Sequence, residues 1–80
     1  MAMNVKVKIY DESKYNPTSE KIAEAEYHNI KGFEIKNLTN EQAAEIGFEH
    51  FDEYNEYLII TLSNDETASF RNSNVDMFRI

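Results

Sequence analysis

Hydrophobic and polar residues alternate in several short stretches of the chain, as is typical of strands. Between Asn4 and Tyr10, three β-branched residues alternate with two lysines, which is the period of a half-buried strand. Tyr57–Leu62 is a continuous apolar run of strand length, and its β-branched content favours a central strand. The alternation returns at Thr67–Arg71, and Val75–Ile80 forms a last short strand.

The segment Glu20–Gly32 fits two structures. As a helix, its apolar residues fall at i, i+4 and i+7, and Ser19 is placed to cap it. As a strand, its apolar residues occupy alternate positions, and the same parity resumes at Phe33 and Ile35 after a turn at Asn29–Gly32. The continued parity favours two strands in a bent hairpin, with the helix as the alternative.

The clearest helix signal lies at Leu38–Ile46. Thr39 and Gln42 have the spacing of a capping box, in which the hydroxyl and the amide side chain each bind the other residue's backbone N–H. Gly47 can supply the left-handed residue that ends a helix. If Gly47 is tolerated inside the helix, the helix continues towards Tyr54.

Eighty residues, 41% of them apolar, predict one folded domain that spans residues 1–80. The elements predict an α+β fold: a small, mainly antiparallel sheet of four to six strands, with one helix at about residues 39–47 packed on a face. A chain this short has modest stability, and a homodimer would add to it.

Charge is distributed unevenly along the chain. From Asn37 to Phe70 there are eight acidic residues and no lysine or arginine, whereas the first 36 residues carry six acids and six lysines. The net charge of −7 therefore comes from the middle of the chain. A block of one sign produces a directional field that can steer a basic partner or repel nucleic acid.

Part of this block is spaced as a stripe. On a continuous helix, acids four residues apart from Glu41 to Glu53 would share one face and repel one another. One interpretation is a surface that imitates phosphate or docks on a basic groove; the other is a solvated face that keeps the protein soluble. The candidate partner-binding residues are the acids of this region and one tyrosine: Glu45, Glu49, Asp52, Glu53, Tyr54 and Glu56.

Four aromatic residues recur at steps of three between Phe48 and Tyr57. This spacing is typical of core packing against a sheet. The alternative is an exposed aromatic among the acids, and Tyr54 would then serve as an anchor for a protein partner.

The residues that catalysis or metal binding requires are scarce. The chain has no cysteine and two glycines, which excludes thiolate chemistry and a glycine-rich phosphate loop. His50 lies among acids, but its spacing matches no metal-ligand or relay pattern. We therefore expect no catalytic residues, no metal, no cofactor and no enzymatic activity. With no signal peptide and no apolar run of spanning length, we expect a cytoplasmic protein.

In size and composition the chain resembles small early proteins of phages and prophages: it is short, acidic, cysteine-free and rich in Lys, Asn, Ile and Glu. The segment Y-L-I-I-T-L-S-N-D-E-T-A-S-F-R-N-S resembles a terminal hairpin of such proteins. Many anti-CRISPR proteins are of this kind, and several are acidic mimics of DNA. The resemblance implies an inhibitor of a basic nucleic-acid-binding protein, such as a host defence nuclease complex, that acts in the host cytoplasm.

Such an inhibitor would touch neither nucleic acid nor membrane directly. A second hypothesis is a structural or regulatory accessory protein that assembles through a sheet edge or an apolar patch. In that case the acids serve only solubility.

Overall fold

The computed structural model describes residues 3–49 and 55–80, which contain six strands, one α-helix and one 3₁₀ turn. In chain order they are β1 (Met3–Tyr10), β2 (Lys21–Ile30), β3 (Gly32–Asn37), α1 (Asn40–Glu45), β4 (Glu56–Thr61), β5 (Thr67–Arg71), the 3₁₀ turn (Asn72–Asn74) and β6 (Val75–Arg79). The strands form two antiparallel three-stranded sheets, β2-β1-β6 and β3-β4-β5. The expectation of a single sheet of four to six strands is therefore wrong, although the fold is mostly β with one helix.

Strand β1 is confirmed as a strand, and it forms the centre of the first sheet. Val5 and Val7 are buried on its inner face. On the outer face, the ammonium group of Lys6 lies 3.4 Å from Glu26 and 3.7 Å from Glu24 of the neighbouring β2. The alternation of apolar and charged residues thus separates a core face from a face of ion pairs.

The passage from β2 to β3 confirms two strands in the ambiguous segment, but their expected pairing as a hairpin is wrong. β2 pairs with β1, and β3 pairs with β4 in the other sheet. At the bend, Asn29 has a positive φ of 58°, and its backbone N–H donates to the Asn4 side chain (3.0 Å). The chain thereby leaves one sheet and enters the other, with Ile30 buried at the corner.

Strand β4 is the central strand of the second sheet, as predicted. Leu58 and Ile60 point into the core, while Tyr57 is buried on the opposite, outer face. Six buried residues from both sheets form one hydrophobic cluster: Val5, Val7, Ile30, Leu58, Ile60 and Val75. The two sheets therefore share a single core.

A second passage between the sheets follows β5. The 3₁₀ turn carries the chain from β5 into β6, which pairs with β1 and brings the two ends of the described chain together. Val75, the first residue of β6, is buried in the shared core. The role of this 3₁₀ turn is therefore to carry the chain from one sheet to the other.

The capping box at the start of α1 is confirmed. The Thr39 hydroxyl accepts from the Gln42 backbone N–H (3.1 Å), and the Gln42 side chain accepts from the Thr39 backbone N–H (2.9 Å). The helix ends at Glu45, because Gly47 adopts a positive φ of 98° that α-helical residues do not have. It therefore does not continue towards Tyr54.

The shared core predicts a contrast between two isoleucines. Ile60→Val removes a buried methylene and should lower the free energy of unfolding by about 0.5–1.5 kcal/mol. Ile22→Val, at a side chain that is 64% exposed, should change it by less than about 0.5 kcal/mol. Urea denaturation followed by circular dichroism measures both, and equal effects would contradict the assignment of Ile60 to the core.

Candidate functional site

The segment that follows α1 is fixed to the outer face of the second sheet through Phe48. Its ring centroid lies 4.8 Å from that of Tyr57, at an interplanar angle of 49°. The guanidinium carbon of Arg71 on β5 lies 5.5 Å from the Phe48 centroid, a cation–π distance. The prediction that these aromatics pack against the sheet is confirmed for Phe48 and Tyr57; Phe51 and Tyr54 lie outside the described residues.

Three acids, on α1 and on this anchored segment, project into solvent. Glu41 and Glu45 are exposed on α1, and Glu49 is exposed next to Phe48. Within residues 3–49 and 55–80, no lysine, arginine or histidine nitrogen lies within 4 Å of their carboxylates. They do not form a stripe on one continuous helix, because α1 ends before Gly47. They instead lie in the first turn of a short helix, at its last residue and on the loop after it.

The remaining candidate residues divide into two groups. Glu56 opens β4 and is half-buried, with the Asn72 side-chain amide 3.4 Å from its carboxylate. The Glu56 carboxylate is therefore in part bound by another residue of the same chain. Asp52, Glu53 and Tyr54 lie outside the described residues.

The lysines are engaged elsewhere. Lys6 and Lys21 pair with acids of β2, Lys14 lies 3.4 Å from Asp76, and Lys36 lies 3.4 Å from Glu34.

The acidic block is also divided in space. Asp65 pairs with Lys31 at the β4–β5 turn, and β4 separates this turn from α1. The acids that lack a cationic neighbour near α1 are therefore a smaller set than the sequence block.

A cleft of about 380 Å³ lies beside this segment. Its walls come from the end of β1, the loop after α1, β5 and the start of β6, and include Tyr10, Glu49, Ser69, Arg71 and Asn74. The Nε atom of Arg71 is buried and has no hydrogen-bond acceptor within the described part of the chain.

The cleft also carries hydroxyl donors. Loss of hydration, and then the charge of and a hydrogen bond to Asp76, raise the pKa of Tyr10, so its phenol stays protonated at neutral pH. Because the Tyr10 O–H donates to Asp76, the Arg71 Nε–H is the donor of this cleft that remains for an acceptor on a bound partner. Sequence reasoning missed Arg71, although it directly follows the stretch without lysine or arginine.

The histidines add little to this region. His28 lies exposed on β2, with Nε2 3.3 Å from the Glu26 carboxylate, and it does not line the cleft. His50 is outside the described residues. Among the residues that can be described, no group of three or more His, Cys, Asp or Glu side chains is placed to hold a metal ion. The described helix is too short to cross a membrane.

Comparison with known proteins gives no relative: no family model, no curated protein and no solved structure matches the chain.

The acidic end of α1 is unfavourable for the helix and predicts that a charge reversal there is stabilising. Glu45→Lys places a lysine four residues after Glu41 and in the last turn of the helix, where a cation is favoured. The free energy of unfolding should rise by about 0.3–1 kcal/mol.

The matched control is Glu66→Lys in the β4–β5 turn, which changes the net charge equally and is expected to alter stability by less than about 0.5 kcal/mol. Urea titrations at low ionic strength compare the two variants. A loss of stability in Glu45→Lys alone would mean that Glu45 has a structural role.

Proposed function

We propose that the protein is a non-enzymatic, acidic protein-binding module of the anti-CRISPR type. In this proposal its acidic surface occupies the nucleic-acid-binding groove of a basic host enzyme and excludes the nucleic acid. The observation that carries the proposal is a set of three exposed acids, on α1 and next to the anchored Phe48, that have no cationic neighbour among the described residues. Of the other candidate residues, Asp52, Glu53 and Tyr54 lie outside the described residues, and Glu56 is half-buried beside Asn72.

The position of the acids supports binding more than solubility. Acids kept only for solubility can be placed anywhere, and a helix gains when lysines lie between them. Here Glu41 and Glu45 are one helical turn apart without a lysine between or beside them, at a cost to the helix. Phe48 holds the following acid close to a defined position, and a fixed arrangement of carboxylates is what imitation of a phosphate backbone requires.

The expected mechanism is electrostatic competition. A basic groove attracts the acidic surface over a distance of about one Debye length, ~8 Å at physiological ionic strength, and this steering accelerates association. Once bound, the carboxylates pair with the lysines and arginines that otherwise hold phosphates. Nucleic acid and the protein would then exclude each other from the groove.

The test begins with capture of the partner from nuclease-treated host lysate, followed by binding measurements on the purified partner. The double variant Glu45→Lys/Glu49→Lys should bind about tenfold more weakly or worse, mainly through slower association. An excess of the partner's own nucleic acid should displace the wild-type protein, and binding should weaken as salt rises.

The matched control is Glu20→Lys/Glu66→Lys, which changes the net charge by the same amount at exposed acids away from α1. Binding by this control should stay within about threefold of wild type. If both double variants bind like wild type, or if nucleic acid and the protein bind together, the acidic surface is a solvated face and the proposal fails.

The second candidate function is an accessory protein that assembles through a sheet edge. One feature favours it: on β3, an edge strand of the second sheet, Phe33 and Ile35 are 44% and 56% exposed. In that case the acids serve solubility, and no groove-binding partner exists.

A further inference from the structure

The outer edge of β3 is open. β3 pairs with β4 on one side, and within the described part of the chain no strand pairs with its other side. Phe33 and Ile35 belong to the core-facing side of the sheet, because they lie opposite the buried Ile60 and Leu58 of β4. They are nevertheless about half exposed, since β3 lies at the rim of the core. Open edges of this kind are templates for pairing with another strand.

The last hydrogen bond between β3 and β4 shows which residues of β3 bond to β4 and which face the open edge. The Leu38 backbone N–H donates to the Asn55 carbonyl (3.0 Å), two positions beyond the Lys36–Tyr57 pair. Hydrogen-bonded pairs in an antiparallel ladder recur at every second residue. The even-numbered residues of β3 therefore bond to β4, and the odd-numbered residues direct their N–H and C=O groups to the open edge.

A second copy of β3 can satisfy this edge in antiparallel orientation about a two-fold axis. The outward N–H and C=O groups of the two copies can bond only when odd-numbered residues face odd-numbered residues. Near the middle of β3 this leaves three registers, which differ in the residue that lies on the two-fold axis. With Glu34 on the axis, two glutamates face each other, and with Lys36 on the axis, two lysines do. With Ile35 on the axis, Glu34 faces Lys36 of the second copy, and the same pair recurs by symmetry.

We propose that two copies of the chain associate through β3, with Ile35 on the two-fold axis. Backbone phase limits the pairing to three registers, and the charges of Glu34 and Lys36 select this one among them. Ile35 then contacts its own copy, and Phe33 lies diagonally from Ile35 of the second copy on the same face. The β3-β4-β5 sheets of the two copies then form one continuous six-stranded sheet across the dimer.

The interface is small, so the dimer should be reversible. Pairing of a six-residue edge buries less than the area of a standard interface, which places the dissociation constant in the range of about 1–100 μM. This proposal does not depend on the proposed function, because it uses neither α1 nor the acids around it.

The first experiment is sedimentation equilibrium combined with amide hydrogen exchange, from ~0.5 μM to ~500 μM protein, a range that brackets these affinities. With rising concentration a dimer should appear, and the amides of Phe33, Ile35 and Asn37 should become protected. The amides of Glu34 and Lys36 are an internal control, because their bonds to β4 protect them at every concentration. A monomer throughout, or odd-numbered amides that exchange equally at all concentrations, would overturn the proposal.

The second experiment tests the register. Glu34→Lys alone and Lys36→Glu alone each place like charges opposite each other in both symmetric pairs, and should weaken the homodimer about tenfold. An equimolar mixture of the two variants restores opposite charges in both pairs and should form a heterodimer at close to wild-type affinity. Circular dichroism and unfolding midpoints confirm that the variants are folded. A mixture that associates no better than either variant alone would exclude this register.

Discussion

The structure depends on one shared core that two small sheets must enclose. The inner faces of the two sheets cover each other: the buried Val5 and Val7 of the first sheet belong to one cluster with Leu58 and Ile60 of the second. An 80-residue chain can enclose such a core only if it changes sheets. It does so at Asn29–Lys31 and again at the 3₁₀ turn, and each passage places a buried residue, Ile30 or Val75, at the junction.

Elements encoded by local pattern were predictable from the sequence, and the pairing between them was not. The alternation of β1, the apolar run of β4 and the capping box at Thr39 each depend on neighbours within a few residues. Parity also identified the strand before the bend and the strand after it, because side-chain alternation continues through residues 23–35. It could not show that the two strands have different partners. A positive φ at Asn29 turns an apparent hairpin into a change of sheet, and no residue type at that position specifies this.

The candidate site shows the same division. The charge distribution identified an acidic region, and the spacing of the aromatics identified the packing role of Phe48. The number of acids along the chain nevertheless overstated the size of the acidic surface. Asp65 meets Lys31 across the sheet, and Glu56 turns towards Asn72, so long-range pairing removes both from the set of free acids. Arg71 was missed in the sequence analysis, because a single arginine forms no spacing pattern that would indicate a site. Its place under Phe48 follows from β5 pairing beside β4, which is a tertiary fact.

The two surfaces proposed for binding are compatible in one molecule. A two-fold axis that relates antiparallel edge strands is perpendicular to the sheet, so the outer faces of both copies lie on the same side. Phe48 packs on that outer face with the exposed Glu49 next to it in the chain, and α1 begins three residues after β3 ends. With Ile35 on the axis, the two copies of Asn37 are four strand positions apart, or about 14 Å. The dimer would therefore present both acidic surfaces to the same side. A partner with an extended basic groove would meet both at once, and the second contact would form at high effective concentration without any new residue.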